Sequence, residues 1–397
     1  MKTLLVLGAG RLNLPAARAM SSVARVIAVD RQPFEIIDEP RFKTVALDFS
    51  DQEALLRFAE QESVVGVYPF SDHAIRPAAL LTATLGLVGL QGDVAENFLD
   101  KSRMREIWNK SGLSQPEFAV VQNLQSALQA AKEIGYPVIV KPASSGGGGR
   151  GVFRVDSERD LSETYPRSVE QNRYSDRILV EKFIVGVESS LELIVVDGQA
   201  TLLAISTKEK AESKSQVATE IVYPGELSDV NIDRIRELCF NASQVLGLVS
   251  GVAHFEVITT PDGIPYLVEV GGRAGGGHTF HPIVSHVSGI NYPELIACLY
   301  LRRVDDVRKI LSHGIGTKGA VYSFPVTNLS GTIKSIGILE TGVGTMVELW
   351  KKPGDISSGM NSSMDRLGCV VSLAENREAA ITESRRTMTS FFVQVES

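Results

Sequence analysis

The sequence predicts an α/β protein in three parts: a parallel-sheet domain over residues 1–95, a larger body over 96–315, and a small β-rich lobe over 316–397. Three observations predict this. Short apolar runs alternate with amphipathic stretches at the start, long strand pairs with glycine turns follow, and the 35 glycines are clustered rather than spread. Strand–helix alternation implies a parallel sheet covered by helices. At roughly 100–200 residues per domain, 397 residues supply two or three hydrophobic cores.

Taken in order, LLVL (4–7), RVIAV (25–29), TVAL (44–47) and VVGVYPF (64–70) read as strands, with helices over 14–21, 51–62 and 73–85. NFLDKSRMREIWNKSG reads as a helical connector, followed by the strand EFAVV and a helix ending at Gly135. VIVKP and GVFRV are strands flanking SSGGGGRG. Two hairpins turn at Asp197-Gly198 and Pro261-Asp262-Gly263. The polar segment 207–216 between them reads as mobile, and Asp229 as the cap of a helix to about 246. Helices over 281–288 and 292–303 follow, then short strands and a final helix over about 376–392.

Composition removes several functions. With 47 acidic against 40 basic residues the net charge is −7, unlike a sequence-independent nucleic-acid binder. No run approaches the roughly 18–20 apolar residues of a membrane span, and the short apolar run before Gly8 reads as a strand rather than a signal peptide. Cys239, Cys298 and Cys369 share no CxxC or histidine spacing, which argues against a disulfide framework and a zinc site and fits a reducing compartment and a cytoplasmic location.

Three constellations carry chemistry. Gly8-Ala9-Gly10 follows the first strand and Asp30 ends the second, but Asn13 stands where a dinucleotide fingerprint needs its third glycine. A tight turn, a nicotinamide site and the edge of another site all use this pattern; the missing glycine favours the turn. Asp72 and His73 follow the fourth strand, where open sheets bind ligands and where solvated turns also occur. Lys141 ends a buried strand and opens the loop Ser144–Gly151; glycines there let backbone N–H groups converge on phosphate, although a flexible linker has similar composition. Glu256 and Glu269 lie symmetrically about the second hairpin turn, so they face each other across the ladder, with Ile258 and Leu267 on their face. Like charges directly opposite are unfavourable, so a cation belongs between them. Either Mg²⁺ (or Mn²⁺) or a glutamate–arginine network with Arg273 satisfies them.

With those residues in place, the sequence resembles the ATP-grasp superfamily along nearly its whole length. The resemblance runs through LDKSRMREIWNKSGLSQPEFAVV, YPVIVKP with its glycine loop, ILVEKFIVGVE, and the hairpin ending LVEVGGR. It implies an ATP-grasp fold: a Rossmann-like N-terminal domain over 1–95, the ATP-grasp domain over 96–315 with its lid subdomain at about 136–185, and the C-terminal lobe over 316–397. It implies that Lys101 and Lys141 contact ATP phosphates, and that Ser145, Gly146, Gly147, Gly148, Gly149 and Gly151 form the lid loop. Glu181, Lys182, Phe183 and Ile184 would frame adenine and Glu188 would hold the ribose. Glu256 and Glu269 would bind the metal, and Arg273 would stabilise the transferring phosphoryl group. Lys208 is either a further phosphate contact or a solvated side chain. One departure stands out: the family motif Glu-x-Asn-x-Arg carries Gly271 at its asparagine position.

VGVYPFSDHAIRPAALLTATLGLVGL, together with GGRAGGGH, resembles the L-amino-acid ligase branch and its carboxylate–amine ligase relatives; the stretch 353–381 resembles the last lobe of biotin-carboxylase-like members. The branch implies ATP-dependent amide or peptide bond formation through an acylphosphate, joining an amino acid to another amino acid or small acid with release of ADP and phosphate. Asp72, His73, His278 and His281 are candidate substrate contacts, glycines 275–277 would leave the substrate room, and a homodimer is implied. The alternatives are a carboxylase or purine-biosynthesis enzyme using bicarbonate or formate, and a non-catalytic nucleotide-binding regulator.

Overall fold

In the computed structural model, described for residues 1–144, 148–172, 175–210, 216–360 and 362–396, the chain begins with β1 (Thr3–Leu7), α1 (Leu14–Ala19), β2 (Arg25–Asp30), β3 (Phe42–Ala46), α2 (Gln52–Gln61), β4 (Val64–Pro69) and α3 (Asp72–Leu85). The four strands pair in parallel in the order β3-β2-β1-β4. Every residue of β1 is buried, as expected of a central parallel strand covered on both faces. Asp51 caps α2 by accepting from the Ala54 N–H, and Gly86 ends α3 at φ +62°.

Next come α4 (Gly92–Asn97) and α5 (Lys101–Lys110), the latter capped by Asp100 accepting from Ser102 and Arg103. The small sheet is formed by β5 (Phe118–Val121), β6 (Val138–Pro142), β7 (Phe153–Val155) and β8 (Ile178–Lys182), antiparallel in the order β5-β8-β6-β7, with α6 (Leu124–Ile134) and α7 (Glu158–Glu170) sharing its core. This unit therefore includes β5 and α6, which precede residue 136.

The large sheet starts with β9 (Val187–Val196), β10 (Gln199–Lys210) and β11 (Ala218–Tyr223), continues after α8 (Asp229–Val245) with β12 (Gly251–Thr259) and β13 (Pro265–Gly271), and resumes after α9 (Ser285–Ser288), α10 (Tyr292–Tyr300) and α11 (Val304–Leu311). Then follow β14 (Gly319–Ser323), β15 (Ser330–Ile338), β16 (Thr345–Leu349), β17 (Ile356–Ser358), β18 (Gly368–Ala374), α12 (Arg377–Thr389) and β19 (Phe391–Glu396). The eight-stranded order is β13-β12-β9-β10-β11-β14-β18-β16, so the C-terminal lobe extends the central sheet through β11–β14 pairing, and β17-β15-β19 form a separate three-stranded sheet. Helix α10 covers the N-terminal sheet so closely that a Cβ on Gly66 would sit 2.6 Å from the Tyr300 carbonyl oxygen.

Four local expectations need correction. Residues 207–210 belong to β10 rather than a mobile segment, because β11 pairs with them; 211–215 lie outside the described residues. The cap of α8 is Ser228, whose hydroxyl accepts from the Asn231 N–H, and Asp229 is the first helical residue. Residues 277–284 form a 3₁₀ turn and a π-type turn, with His281 extended at φ −150°, so the helix expected over 281–288 is regular only over Ser285–Ser288. Finally, a bulge between Glu256 and Val257 places Val257, not Ile258, opposite Leu267, and sends Leu267 into the core on the other side of the sheet.

Candidate active site

Glu256 and Glu269 are direct cross-strand partners at the end of the β12–β13 hairpin, ahead of the bulge. Both line a cavity of about 1140 Å³ between the small and large sheets. Lys101, the first residue of α5, places its ammonium 2.9 Å from Glu269 Oε1. From β10, Lys208 reaches Glu256 Oε1 at 2.5 Å and Glu188 Oε1 at 2.8 Å, and Lys210 takes Glu188 Oε2 at 2.5 Å. The acids are thus satisfied by a lysine network spanning four adjacent strands, β13-β12-β9-β10, and a helix.

The electrostatics follow from that packing. Burial alone would raise the Glu256 carboxyl, but Lys208, with smaller help from His254, outweighs it and holds it down to about 2. Burial opposes the charge on Lys208, yet Glu188 and Glu256 overcome it and raise its pKa; Glu269 does the same for Lys101.

Lys141, at the end of β6, is 4% exposed and donates to Glu181 Oε2 at 2.8 Å. Arg105 of α5 clamps the same carboxylate through Nε at 2.8 Å and an Nη at 3.2 Å, and also donates to the Val268 carbonyl at 2.8 Å. Desolvation is the largest influence on Lys141 and lowers its pKa despite the Glu181 charge. The carboxylate of Glu181 is thereby committed to two cations, so only its backbone is free to frame a ligand. Lys182 is committed as well, donating to the carbonyls of Ile134 and Gly135 at the end of α6.

Arg273 grips Asp72 with two hydrogen bonds, 2.7 and 3.1 Å, which joins the hairpin to the N-terminal domain. Burial opposes both charges, but each outweighs it for the other, lowering the Asp72 pKa and raising that of Arg273. Asp72 and His73 line a second cavity of about 210 Å³ that also touches Lys101 and Glu269.

The sequence-predicted residues are therefore largely gathered. Lys101, Lys141, Gly148, Gly149, Glu181 and Lys182 line the large cavity, as do Phe183, Ile184, Glu188, Glu256, Glu269 and Arg273. The Gly148 carbonyl accepts from the Ser363 N–H (3.3 Å) and hydroxyl (2.8 Å), tying the glycine loop to the C-terminal lobe. Gly151 sits behind the cavity wall, where a Cβ would meet Gln171 and Pro142, and Ser145, Gly146 and Gly147 lie outside the described residues. His278 and His281 line neither cavity. Of glycines 275–277 only Gly276 faces open space; a Cβ on Gly275 would overlap the Glu192 carboxylate, and one on Gly277 would lie 3.1 Å from the Tyr322 hydroxyl.

Sequence reasoning missed Arg105, Lys210 and the buried Glu192–His254 pair, whose Oε1–Nδ1 separation is 2.5 Å. Arg105 left a signal: Lys101, Arg105 and Trp108 recur at i, i+4, i+7, the buried face of α5. The Glu192–His254 pair left none, because it joins β9 to β12 across 62 residues.

A small antiparallel sheet is set against the edge of a large one, with lysines on both and facing glutamates on the larger, an arrangement suited to a phosphate-bearing ligand. Comparison with known proteins agrees: residues 100–297 match the family described as carbamoyl-phosphate synthase L chain, ATP binding domain. The chain carries an ATP-grasp domain and has the ATP-grasp fold. It is similar to the L-amino acid ligase from Bacillus licheniformis, with a TM-score of 0.82 and 22% identity over 100% of this chain and 99% of that one. It is also similar to phosphoribosylglycinamide synthetase from Anaerococcus prevotii, with a TM-score of 0.74 and 20% identity over 100% of both chains. In sequence it is 24% identical to D-alanine--D-alanine ligase of Nitrosomonas eutropha over 296 residues, 72% of this chain and 90% of that protein.

Proposed function

We propose that the protein is an ATP-dependent carboxylate–amine ligase that joins an amino acid to another amino acid or small acid. The observation that carries this reading is the convergence of Lys101, Lys141, Lys208 and Arg273 with two facing glutamates in one cavity. At about 1140 Å³ it exceeds the roughly 300–1,000 Å³ of an ordinary small-molecule site, leaving room for a nucleotide and a second ligand. The resemblance to named ligases over most of the chain supports the same reading.

In this reaction a carboxylate oxygen attacks the γ-phosphorus of ATP, the bond to the bridging oxygen breaks, and ADP leaves. The amine nitrogen then attacks the acyl carbon, phosphate departs with that carboxylate oxygen, and the amine proton passes to solvent. Such chemistry depends on positioning and on neutralising charge. Arg273 lines the cavity with its guanidinium held by Asp72 and the Ala274 carbonyl, and would steady the carboxylate and the transferring phosphoryl group. Lys141 and Lys101 offer fixed positive charge to the phosphates. The Gly148–Ser363 contact ties the glycine loop to the C-terminal lobe at the rim of the cavity, where closure over a bound ligand would protect an acylphosphate from water.

Glu256 and Glu269 fit a hard divalent cation: they face each other and present carboxylate oxygens, and Glu256 stays ionised at neutral pH. They would hold Mg²⁺, which supplies charge neutralisation on the phosphates when bound and leaves Lys101 and Lys208 to the phosphate oxygens.

Phosphate release from Mg-ATP against single and paired amino acids, with bicarbonate and formate as further wells, tests the proposal. Release that needs two amino acids, or an amino acid and a second acid, and that disappears in Glu269→Gln supports it. Release driven by bicarbonate or formate moves the chain to the carboxylase or purine-type reading.

A further inference from the structure

A second cluster of donors lies away from the lysine network, where the loop after Arg273 meets the C-terminal lobe. Glu348 of β16 and Cys369 of β18 are direct cross-strand partners, so their side chains leave the sheet on the same face. His278, in the 3₁₀ turn Gly277–Thr279, approaches that face from outside the sheet, its Nε2 4.0 Å from Glu348 Oε2. One donor atom from each residue, sulfur, nitrogen and oxygen, lies within 4.8 Å of the other two.

The histidine supplies an independent sign that something belongs there. His278 is 4% exposed, and its Nε2 has no hydrogen-bond partner among the described residues. A buried polar atom left this way is costly and rare. The imidazole is engaged by the His281 backbone, and its unpartnered Nε2 lies 4.0 Å from Glu348 Oε2. Metal-bound histidines are commonly oriented by such a second partner. Cys369 is 1% exposed and Glu348 remains open on one side, where Arg11 approaches at 3.6 Å and the Trp350 indole N–H donates to Oε2 at 3.1 Å.

We propose that His278, Glu348 and Cys369 bind a divalent transition-metal ion, for which zinc is the best match. Thiolate and imidazole select zinc and its neighbours over magnesium or calcium, and three protein donors with one face open to solvent leave a fourth position for water. Donors around tetrahedral zinc stand about 3.5 Å apart, so binding draws the cluster in, chiefly by rotation of the half-buried Glu348. The Cys369 S–H bond breaks, the sulfur–metal bond forms, and the proton goes to solvent. The site is distinct from the Glu256–Glu269 pair, which offers oxygen alone. A bound ion would staple the segment following Arg273 to β16 and β18.

The test uses the full chain, stripped with chelator and titrated with Co²⁺ alone. A near-ultraviolet thiolate-to-cobalt band should saturate at one ion per chain and be displaced by Zn²⁺. It should vanish in Cys369→Ser and survive in Cys239→Ser, and His278→Asn should weaken binding about 10–100-fold. Absence of the band, or a band that persists in Cys369→Ser, overturns the proposal. If Cys369→Ser fails to fold, X-ray absorption of the zinc-loaded native chain decides. One sulfur at about 2.3 Å with nitrogen and oxygen at about 2.0–2.2 Å is expected, and a shell without sulfur refutes the site.

Discussion

The triad Arg105–Glu181–Lys141 makes the sharpest stability prediction, because all three side chains are 4% exposed or less and one carboxylate serves both cations. Glu181→Gln keeps the shape and removes the charge. Two buried cations then face each other without a counter-charge, and breaking a buried pair from one side costs about 3–5 kcal/mol. At about 2–4 °C per kcal/mol for a body of this size, the melting midpoint should fall by about 6–20 °C. Lys141→Met removes instead a cation whose charge burial already disfavours, and leaves the bidentate Arg105–Glu181 pair intact. It should change stability by less than about 1.5 kcal/mol while weakening ATP binding at least about tenfold. The pH dependence carries a sign. In Glu181→Gln the Lys141 folded pKa lies below its unfolded value, so the destabilisation is full at low pH and shrinks as pH rises through the folded value. Urea denaturation of the two variants between pH 6 and 9 reads all of this. A Glu181→Gln cost below about 1 kcal/mol at pH 6, or one that grows with pH, would refute the reasoning.

Three further outcomes are expected. Arg273→Ala should lower kcat about 10²–10³-fold with ATP affinity little changed, measured by steady-state kinetics and nucleotide titration; a loss confined to nucleotide binding would make Arg273 structural. Gly271→Asn should fold normally, since the atoms nearest a Cβ there are those of the Arg273 side chain at 3.6–3.8 Å, and should alter the metal dependence of ATP turnover; a collapsed melting transition would show that the backbone needs glycine. Glu256, held down to about 2, contributes stability that is present above its unfolded value near 4.3 and is lost as pH falls toward 2, so an acid titration of Glu256→Gln should be flatter than the native one in that window.

Much of this was legible in the sequence because the signals were local. The facing of Glu256 and Glu269 follows from symmetry about a Pro-Asp-Gly turn, and the position of Lys141 from an apolar strand running into glycines. Even there, the bulge after Glu256 defeated the simple alternation: one inserted residue sends Leu267 to the opposite face, and a period of two cannot reveal where a strand takes up an extra residue. Lys208 and Lys210 sit in a run so polar that it resembles a loop; pairing with β11 and the glutamates opposite overrides that composition. Glu181 and Glu188 were legible as residues of one cavity but their ion-pair partners were not, because the lysines and the arginine that engage them come from distant segments. The strand β19 was hidden behind a helix pattern and exists because β15 pairs with it.

The central claim is that a carboxylate is activated by the γ-phosphoryl group of ATP, and isotope transfer tests it most directly. With the acid substrate labelled with ¹⁸O in its carboxylate, one labelled oxygen per turnover should appear in inorganic phosphate, with ADP as the other product. Unlabelled phosphate, or label in AMP, would contradict the account.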